Sequence, residues 1–333
     1  MPATTLRAQI ESFPVAGHFT IARGSRTEAR VIRVEIERDG VVGSGECVPY
    51  ARYGETPEAT IDTILAQGPA LASGLDRVGL QAALPPGAAR NALDCALWAF
   101  EARLAGRDVA SLAGLDWPRT MPTAFTISLD TPEAMAAAAA RAAHLPLLKL
   151  KLGAPGDAER LAAIRAAVPQ ARLVVDANEG WQPETLPRLL QACADAGVEL
   201  VEQPLPAGAD DSLAGIDHVV PICADESVHA RSGLEALPGR YDAINIKLDK
   251  TGGLTEALEV AVRARELGLS IMVGCMLSTS LSMLPATLLA GFARWIDLDG
   301  PLLLARDRPG GLVYRDGMLD RSAATLWGDI SSP

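Results

Sequence analysis

The 333-residue chain carries 41 acidic residues against 30 basic ones, a net charge of −11. That balance excludes a binder of the nucleic-acid backbone, which needs a basic face. Apolar residues make up 49% of the chain, too many for a disordered segment, yet no apolar run nears the roughly 18 residues that span a bilayer.

The N-terminal stretch, residues 1–7, lacks the apolar core of a signal peptide. The five cysteines (Cys47, Cys95, Cys193, Cys223, Cys275) are odd in number and show no Cys-x-x-Cys spacing. Free thiols in a reducing cytoplasm are therefore expected, with Cys193 and Cys223 in the core. Residues 29–38 partly alternate, Asp39-Gly40 signals a hairpin turn, and 41–50 reads as the returning strand. Residues 56–110 read as helices, with strong helical periodicity over 91–104. Residues 1–118 are thus expected to form an α+β unit.

From residue 119 the pattern changes to alternating β and α. Residues 121–128 read as a first strand. Asp130-Thr131-Pro132-Glu133 then opens an alanine-rich helix, with Asp130 or Thr131 as cap. Five apolar runs follow, and they end in Lys151, Asp176, Glu202, Asp225 and Lys247, 22 to 26 residues apart. Each step holds one strand, one helix and two loops. Helices are expected at 183–196 and 254–267, each stopped by a glycine, a seventh strand at 271–275 and an eighth at 294–299. Eight such strands suit a closed parallel barrel spanning 119–299, with functional residues at the C-terminal strand ends. Residues 300–333 are expected to return to the N-terminal unit.

Asp176, Glu202 and Asp225 would converge at one mouth. Three carboxylates repel one another unless a cation joins them. An all-oxygen set suits Mg²⁺ better than Zn²⁺. Helix capping is the plainer alternative for each acid taken alone. Lys149 and Lys151 alternate with leucine and point to the interior, while Lys247, four strands on, stands across the mouth. Salt bridges to the three acids are the plainer reading for the lysines. Burial and a nearby cation would lower a lysine's pKa and make it a base. The chemistry this suits is proton abstraction beside a carboxylate. The cation stabilises the enediolate, and a base on each face allows inversion.

Lys149-Leu-Lys151, Asp176-Ala-Asn178, Glu202-Gln203-Pro204, Asp225-Glu226-Ser227 and the run 245–253 (Asn-Ile-Lys-Leu-Asp-Lys-Thr-Gly-Gly) resemble, in order, the motifs of the enolase superfamily. The match is to its muconate-lactonizing-enzyme-like subgroup and covers essentially the whole chain. Members of that superfamily use a Lys or His base with Mg²⁺, so the mechanism is the family's. The resemblance implies an α/β fold: a modified TIM barrel, (β/α)₇β, under an N-terminal α+β capping domain. It implies Asp176, Glu202 and Asp225 as Mg²⁺ ligands, Lys151 and Lys247 as the acid/base pair, and Lys149 polarising the substrate carboxylate. None of the four histidines falls at a predicted strand end, unlike the mandelate-racemase branch with its His base. Within the subgroup the chain is similar to L-Ala-D/L-Glu (dipeptide) epimerases. Their Asp-x-Asp, here Asp297-Leu298-Asp299, holds the substrate's ammonium group, and period-two spacing aims both acids one way. A strand-end cap or an internal salt bridge is the alternative. Arg23 resembles the arginine that reads the glutamate side chain by bidentate pairing, with Arg26 as the fallback. Thr126, Cys275 and Leu277 are implied substrate contacts. The resemblance implies a cytoplasmic enzyme for murein peptides, without nucleic-acid or membrane partners, and leaves room for a homo-oligomer. The rivals are cycloisomerase, o-succinylbenzoate synthase or N-acylamino acid racemase activity, whose substrates lack a free ammonium, and a catalytically dead binding protein.

Overall fold

The computed structural model describes residues 4–328. β1 (Thr5–Ile21), β2 (Gly24–Arg38) and β3 (Val41–Cys47) form an antiparallel sheet in chain order. β2 begins before the predicted residue 29. β1 had no counterpart in the sequence pattern, because Pro14 and Gly17 interrupt its alternation and its ladder to β2 shifts between Pro14 and Phe19. Five helices follow: α1 (Pro57–Leu65), α2 (Gly68–Ala72), α3 (Arg77–Ala83), α4 (Ala88–Leu104) and α5 (Val109–Ala113). Thr56 caps α1 by accepting the Ala59 N–H. The inner face of the sheet (Ile32, Val34, Ile36) packs on α4 through Ala92, Leu93, Ala96 and Phe100. At Gly45 a Cβ would meet Ala92 O at 2.1 Å, so β3 lies directly on the α4 backbone.

The predicted first barrel strand is split. β4 (Thr120–Pro122) leaves the barrel and pairs with the tail, and β5 (Phe125–Ile127) is the barrel strand. Pro122 has no N–H to continue a central ladder. The rest of the barrel comprises α6 (Pro132–Arg141), β6 (Leu148–Lys151), α7 (Asp157–Ala167), β7 (Leu173–Asp176), α8 (Leu186–Asp195), β8 (Val198–Glu202), β9 (Ile222–Ala224), β10 (Ala243–Ile246), α9 (Leu248–Thr251), α10 (Leu254–Glu266), β11 (Ser270–Val273), α11 (Ser280–Ala286) and β12 (Trp295–Ile296). β5 to β12 form one eight-stranded sheet in sequential order with parallel pairings. A backbone hydrogen bond from Ala124 N to Ile296 O (2.8 Å) brings its two edges together. The shorter steps after β8 and β9 hold only 3₁₀ turns (Asp211–Gly215 and Leu234–Ala236), where α-helices were expected.

The barrel floor is apolar. Ala124, Leu147, Val174, Leu200, Cys223, Ala243, Met272 and Trp295, one per strand or its approach, make a separate buried cluster. Two residues further along each strand the same inward face recurs. That step lifts Lys149, Asp176, Glu202, Asp225, Asn245 and Asp297 into one polar layer above the floor. The tail hairpin of β13 (Val313–Arg315) and β14 (Met318–Asp320) pairs with β4. Beyond it, Trp327 Nε1 donates to Cys95 O in α4 (2.8 Å), and Arg308 bridges Glu11 and Glu46.

Candidate active site

A cavity of about 160 Å³ opens at the C-terminal end of the barrel strands, under the turn between β1 and β2. Lys151, Lys247, Asp225, Arg23, Cys275 and Leu277 line it. Lys151 Nζ stands 2.6 Å from Asp176 Oδ2, and Lys247 Nζ 2.6 Å from Asp225 Oδ2. The two amines therefore sit on different carboxylates, on β7 and β9, with Glu202 of β8 between them.

Lys149 lies deeper, fully buried, with Glu202 Oε2 at 2.5 Å, Asp297 Oδ2 at 2.7 Å and Asp176 Oδ2 at 3.3 Å. Glu202 Oε2 nevertheless accepts no well-angled hydrogen bond, and Asp297 Oδ1 has no partner. Lys250 donates to Asp225 O and Oδ1, both at 2.5 Å, and Asn245 Nδ2 to Glu202 Oε1 at 2.6 Å. The lysines thus occupy the salt-bridge arrangement that the sequence left open.

Burial alone would lower the pKa of Lys247, but Asp225 and Glu202 raise it well above its usual value; Lys149 behaves alike beside Asp297 and Glu202. The carboxylates thus outweigh the lowering expected from burial. Burial would raise the Asp225 carboxyl, yet Lys247 and Lys250 hold it well below the usual range. Asp176 is held down in the same way by Lys151 and Lys149. Burial and Asp176 push Glu202 up.

Asp297 and Asp299 are both buried, and neither lines the cavity. Asp299 Oδ2 accepts the Thr126 N–H (2.7 Å), and burial together with Asp297 lifts its carboxyl to about 7. Thr126 borders a different cleft, between α6 and the tail. Both terminal nitrogens of Arg23 are engaged: Nη1 donates to Asn178 O (2.9 Å) and Glu179 Oε2 (3.1 Å), and Nη2 to Tyr50 Oη (3.1 Å) and Glu226 Oε1 (2.7 Å). Arg26 lines the same cavity with its guanidinium 5.3 Å from the Tyr50 ring centre.

Glu226, Asn178 and Phe19 also line the cavity, and sequence reasoning gave them no role; Tyr53, from the loop at 48–56 that the sequence marks for specificity, lines it too. Glu226 lies two residues past the end of β9, so strand periodicity could not aim it. Burial and the neighbouring Asp225 lift its carboxyl to about 7, and its Oε2 is unpaired. The left-handed φ of Asn178 (45°) and Gln203 (34°) marks strained backbone beside the carboxylates.

Among the described residues, no three His, Cys, Asp or Glu side chains stand close enough together, as placed, to hold a metal ion. The donor chemistry still fits a hard cation: Lys149 meets Asp176 and Glu202, Lys247 meets Glu202 and Asp225, and Glu202 Oε2 accepts no well-angled hydrogen bond, so three buried carboxylates are linked through shared positive charge.

Residues 3–114 match the family model "Mandelate racemase / muconate lactonizing enzyme, N-terminal domain", and residues 133–325 match "Enolase C-terminal domain-like". The L-Ala-D/L-Glu epimerase of Escherichia coli (strain K12) is 50% identical over 317 residues, covering 95% of this chain and 99% of that one. The N-acetyl-D-glutamate racemase of a Pseudoalteromonas species is 43% identical, over 86% and 91% of the two chains. A solved enolase-family member from Agrobacterium tumefaciens, with homology to dipeptide epimerases and with sodium and L-Ala-L-Glu bound, superposes with a TM-score of 0.95 at 52% identity, covering 98% and 100%. A dipeptide epimerase from Enterococcus faecalis V583, complexed with Mg and L-Leu-L-Tyr, gives 0.88 at 31% identity, covering 98% and 99%. The chain belongs to the enolase superfamily, in its mandelate racemase / muconate lactonizing enzyme branch. It is an enzyme of the isomerase class.

Proposed function

We propose that the chain interconverts L-Ala-D-Glu and L-Ala-L-Glu at the glutamate α-carbon by a two-base mechanism. The observation that carries this is the pair of amines, Lys151 and Lys247, lining one cavity while held by different carboxylates. One lysine removes the α-proton and the other returns a proton to the opposite face. Asp176, Glu202 and Asp225 would hold Mg²⁺, which when bound stabilises the charge that builds on the substrate carboxylate. Lys149 and Lys247 must then release the oxygens they hold. Lys149 orients that carboxylate, and Asp297 and Asp299 receive the substrate ammonium, the unpaired Asp297 Oδ1 being the open acceptor. Cys275 and Leu277 wall the substrate; Thr126 fixes Asp299 through its N–H.

The distal carboxylate of the glutamate is assigned to Arg26 ahead of Arg23, whose two terminal nitrogens already meet Glu226, Glu179, Tyr50 and Asn178. The division into residues 1–118, 119–299 and 300–333 and a cytoplasmic role on murein peptides belong to the same reading.

The test is α-deuterium exchange in D₂O on each dipeptide isomer. K151A and K247A each abolish epimerisation and each retain exchange on one isomer, opposite in the two variants. Equal exchange on both isomers in either variant sinks the two-base scheme. A second reading, racemisation of an N-acylated glutamate, is favoured by the salt bridge that already engages Asp297 with Lys149. Faster exchange of N-acetylglutamate than of either dipeptide selects it.

A further inference from the structure

The two bases are anchored differently. Lys151 is followed by Gly153 and Ala154, whose N–H groups are held by Asp157 Oδ2 (2.8 and 3.2 Å), a residue of the barrel's own α7. Lys247 is followed by α9 and the start of α10, and this segment is gripped by one face of α4, from the N-terminal unit. Arg90 donates to Thr251 O (2.6 Å) and Gly252 O (3.1 Å). Asn91 Nδ2 donates to Asp249 Oδ1 (2.9 Å). Asp94 Oδ2 accepts the Thr255 N–H, and Trp98 Nε1 donates to Thr255 Oγ1, both at 2.9 Å. Residues 90, 94 and 98 follow one another at four-residue spacing and so share a helix face. Asp249 Oδ1 also accepts the N–H of Val48, a cavity-lining residue, at 2.9 Å. Asp249 is buried and two residues beyond the base, so this bond pair ties the Lys247 backbone to the cavity roof. Neither Asn91 nor Asp249 touches the cavity.

We propose that Asn91 and Asp249 are positioning residues for Lys247 and not for Lys151: α4 sets the reach of one base while the barrel sets the other. The reaction is then asymmetric, with one proton-transfer step sensitive to the seating of the N-terminal unit. This rests on the two-base reading. Its physical basis is that a misplacement of about 1 Å can cost about a hundredfold in rate, whereas the opposite base keeps its own anchor.

The experiment measures exchange of L-Ala-L-Glu and L-Ala-D-Glu separately in D₂O, in the full-length Mg²⁺-loaded protein. K151A and K247A first show which isomer each lysine serves; if they show no such division, the two-base reading fails and not this inference. In D249A, exchange through Lys247 should fall by about tenfold or more, and exchange through Lys151 by less than about threefold. D249N keeps an acceptor for Val48 N and Asn91 Nδ2 and should restore most of the loss. N91A, which leaves the Val48 bond intact, should show the same bias more weakly and decides the matter if D249A does not fold. Equal losses on both isomers, or no loss, overturn the proposal.

Discussion

At the scale of single residues, the site turns on which charged groups are already spent. Arg23 and Arg26 sit three residues apart and both line the cavity, but Arg23 has both terminal nitrogens engaged by Glu226, Glu179, Tyr50 and Asn178. In the proposed function the glutamate carboxylate is therefore assigned to Arg26. A hydrogen bond to a charged group contributes about 1.5–3 kcal/mol. R26A should accordingly raise KM for L-Ala-Glu by about ten- to a hundredfold, with a much smaller change for L-Ala-Ala. Steady-state kinetics on the two dipeptides checks this, and an equal change on both removes Arg26 from specificity. Sequence made the three lysines and Asp176, Glu202, Asp225 and Asp297 legible because each sits on a barrel strand or at the residue just past its end, where period two still fixes the facing side. The choice between Arg23, in the turn, and Arg26, at the start of β2, depends on Glu226 and Glu179, which come from more than 150 residues away.

At the scale of elements, the contact between β3 and α4 decides whether the N-terminal unit is seated. Gly43 and Gly45 alternate on the face against α4, where added Cβ atoms would approach Ala96 O at 2.2 Å and Ala92 O at 2.1 Å. G45A should destabilise the fold by about 1–3 kcal/mol through overpacking. The urea midpoint should fall without a change in m-value, and an unchanged midpoint would mean that the sheet can shift away from the helix. The helix at 91–104 was legible from its apolar period, but that period conceals its second, polar face of Arg90, Asn91, Asp94 and Trp98. Strand lengths were legible at β6 to β10, short runs built on Leu, Val and Ile with few polar interruptions. They were not legible at 121–128, where Pro122 sends β4 to the tail, nor in β1, whose pairing with β2 survives the interruption between Pro14 and Phe19.

At the scale of the whole molecule, buried charge ties stability to pH, and the proposed Mg²⁺ site would tie it to the metal. Added MgCl₂ should raise Tm in proportion to the logarithm of its concentration, with about 2.7 kcal/mol gained at a hundred times Kd. A flat Tm up to tens of millimolar, on the order of saturation for a weak site, removes the cation from the proposal. Two carboxyls at the interface between α4 and the barrel are pushed up chiefly by burial, Asp94 to about 6 and Asp249 to about 7. A raised acid favours the protonated folded form, so its contribution is fully present below the usual carboxylate range and is lost as pH rises through the folded value. Wild type should therefore lose stability relative to D249N between about pH 4 and pH 7. Differential scanning calorimetry of both proteins across that range reads the difference directly. Asp176 and Asp225 act in the opposite sense, since the lysines hold them low, but they are common to both proteins and cancel.

The order of strands, the inward set of lysines and acids, and the class of chemistry follow from local pattern: a two-residue period on short apolar runs admits one facing, and a repeat of 22 to 26 residues is long enough to return the chain to the same mouth, whether or not an α-helix fills the step. Tertiary structure decided what local pattern cannot encode. It closed the barrel edges between Ala124 and Ile296, spent Arg23 on distant acids, and brought α4 against the segment that follows Lys247. These are contacts between groups far apart in the chain, fixed by packing and by the need of buried polar groups for partners, and not by the neighbours of any one residue.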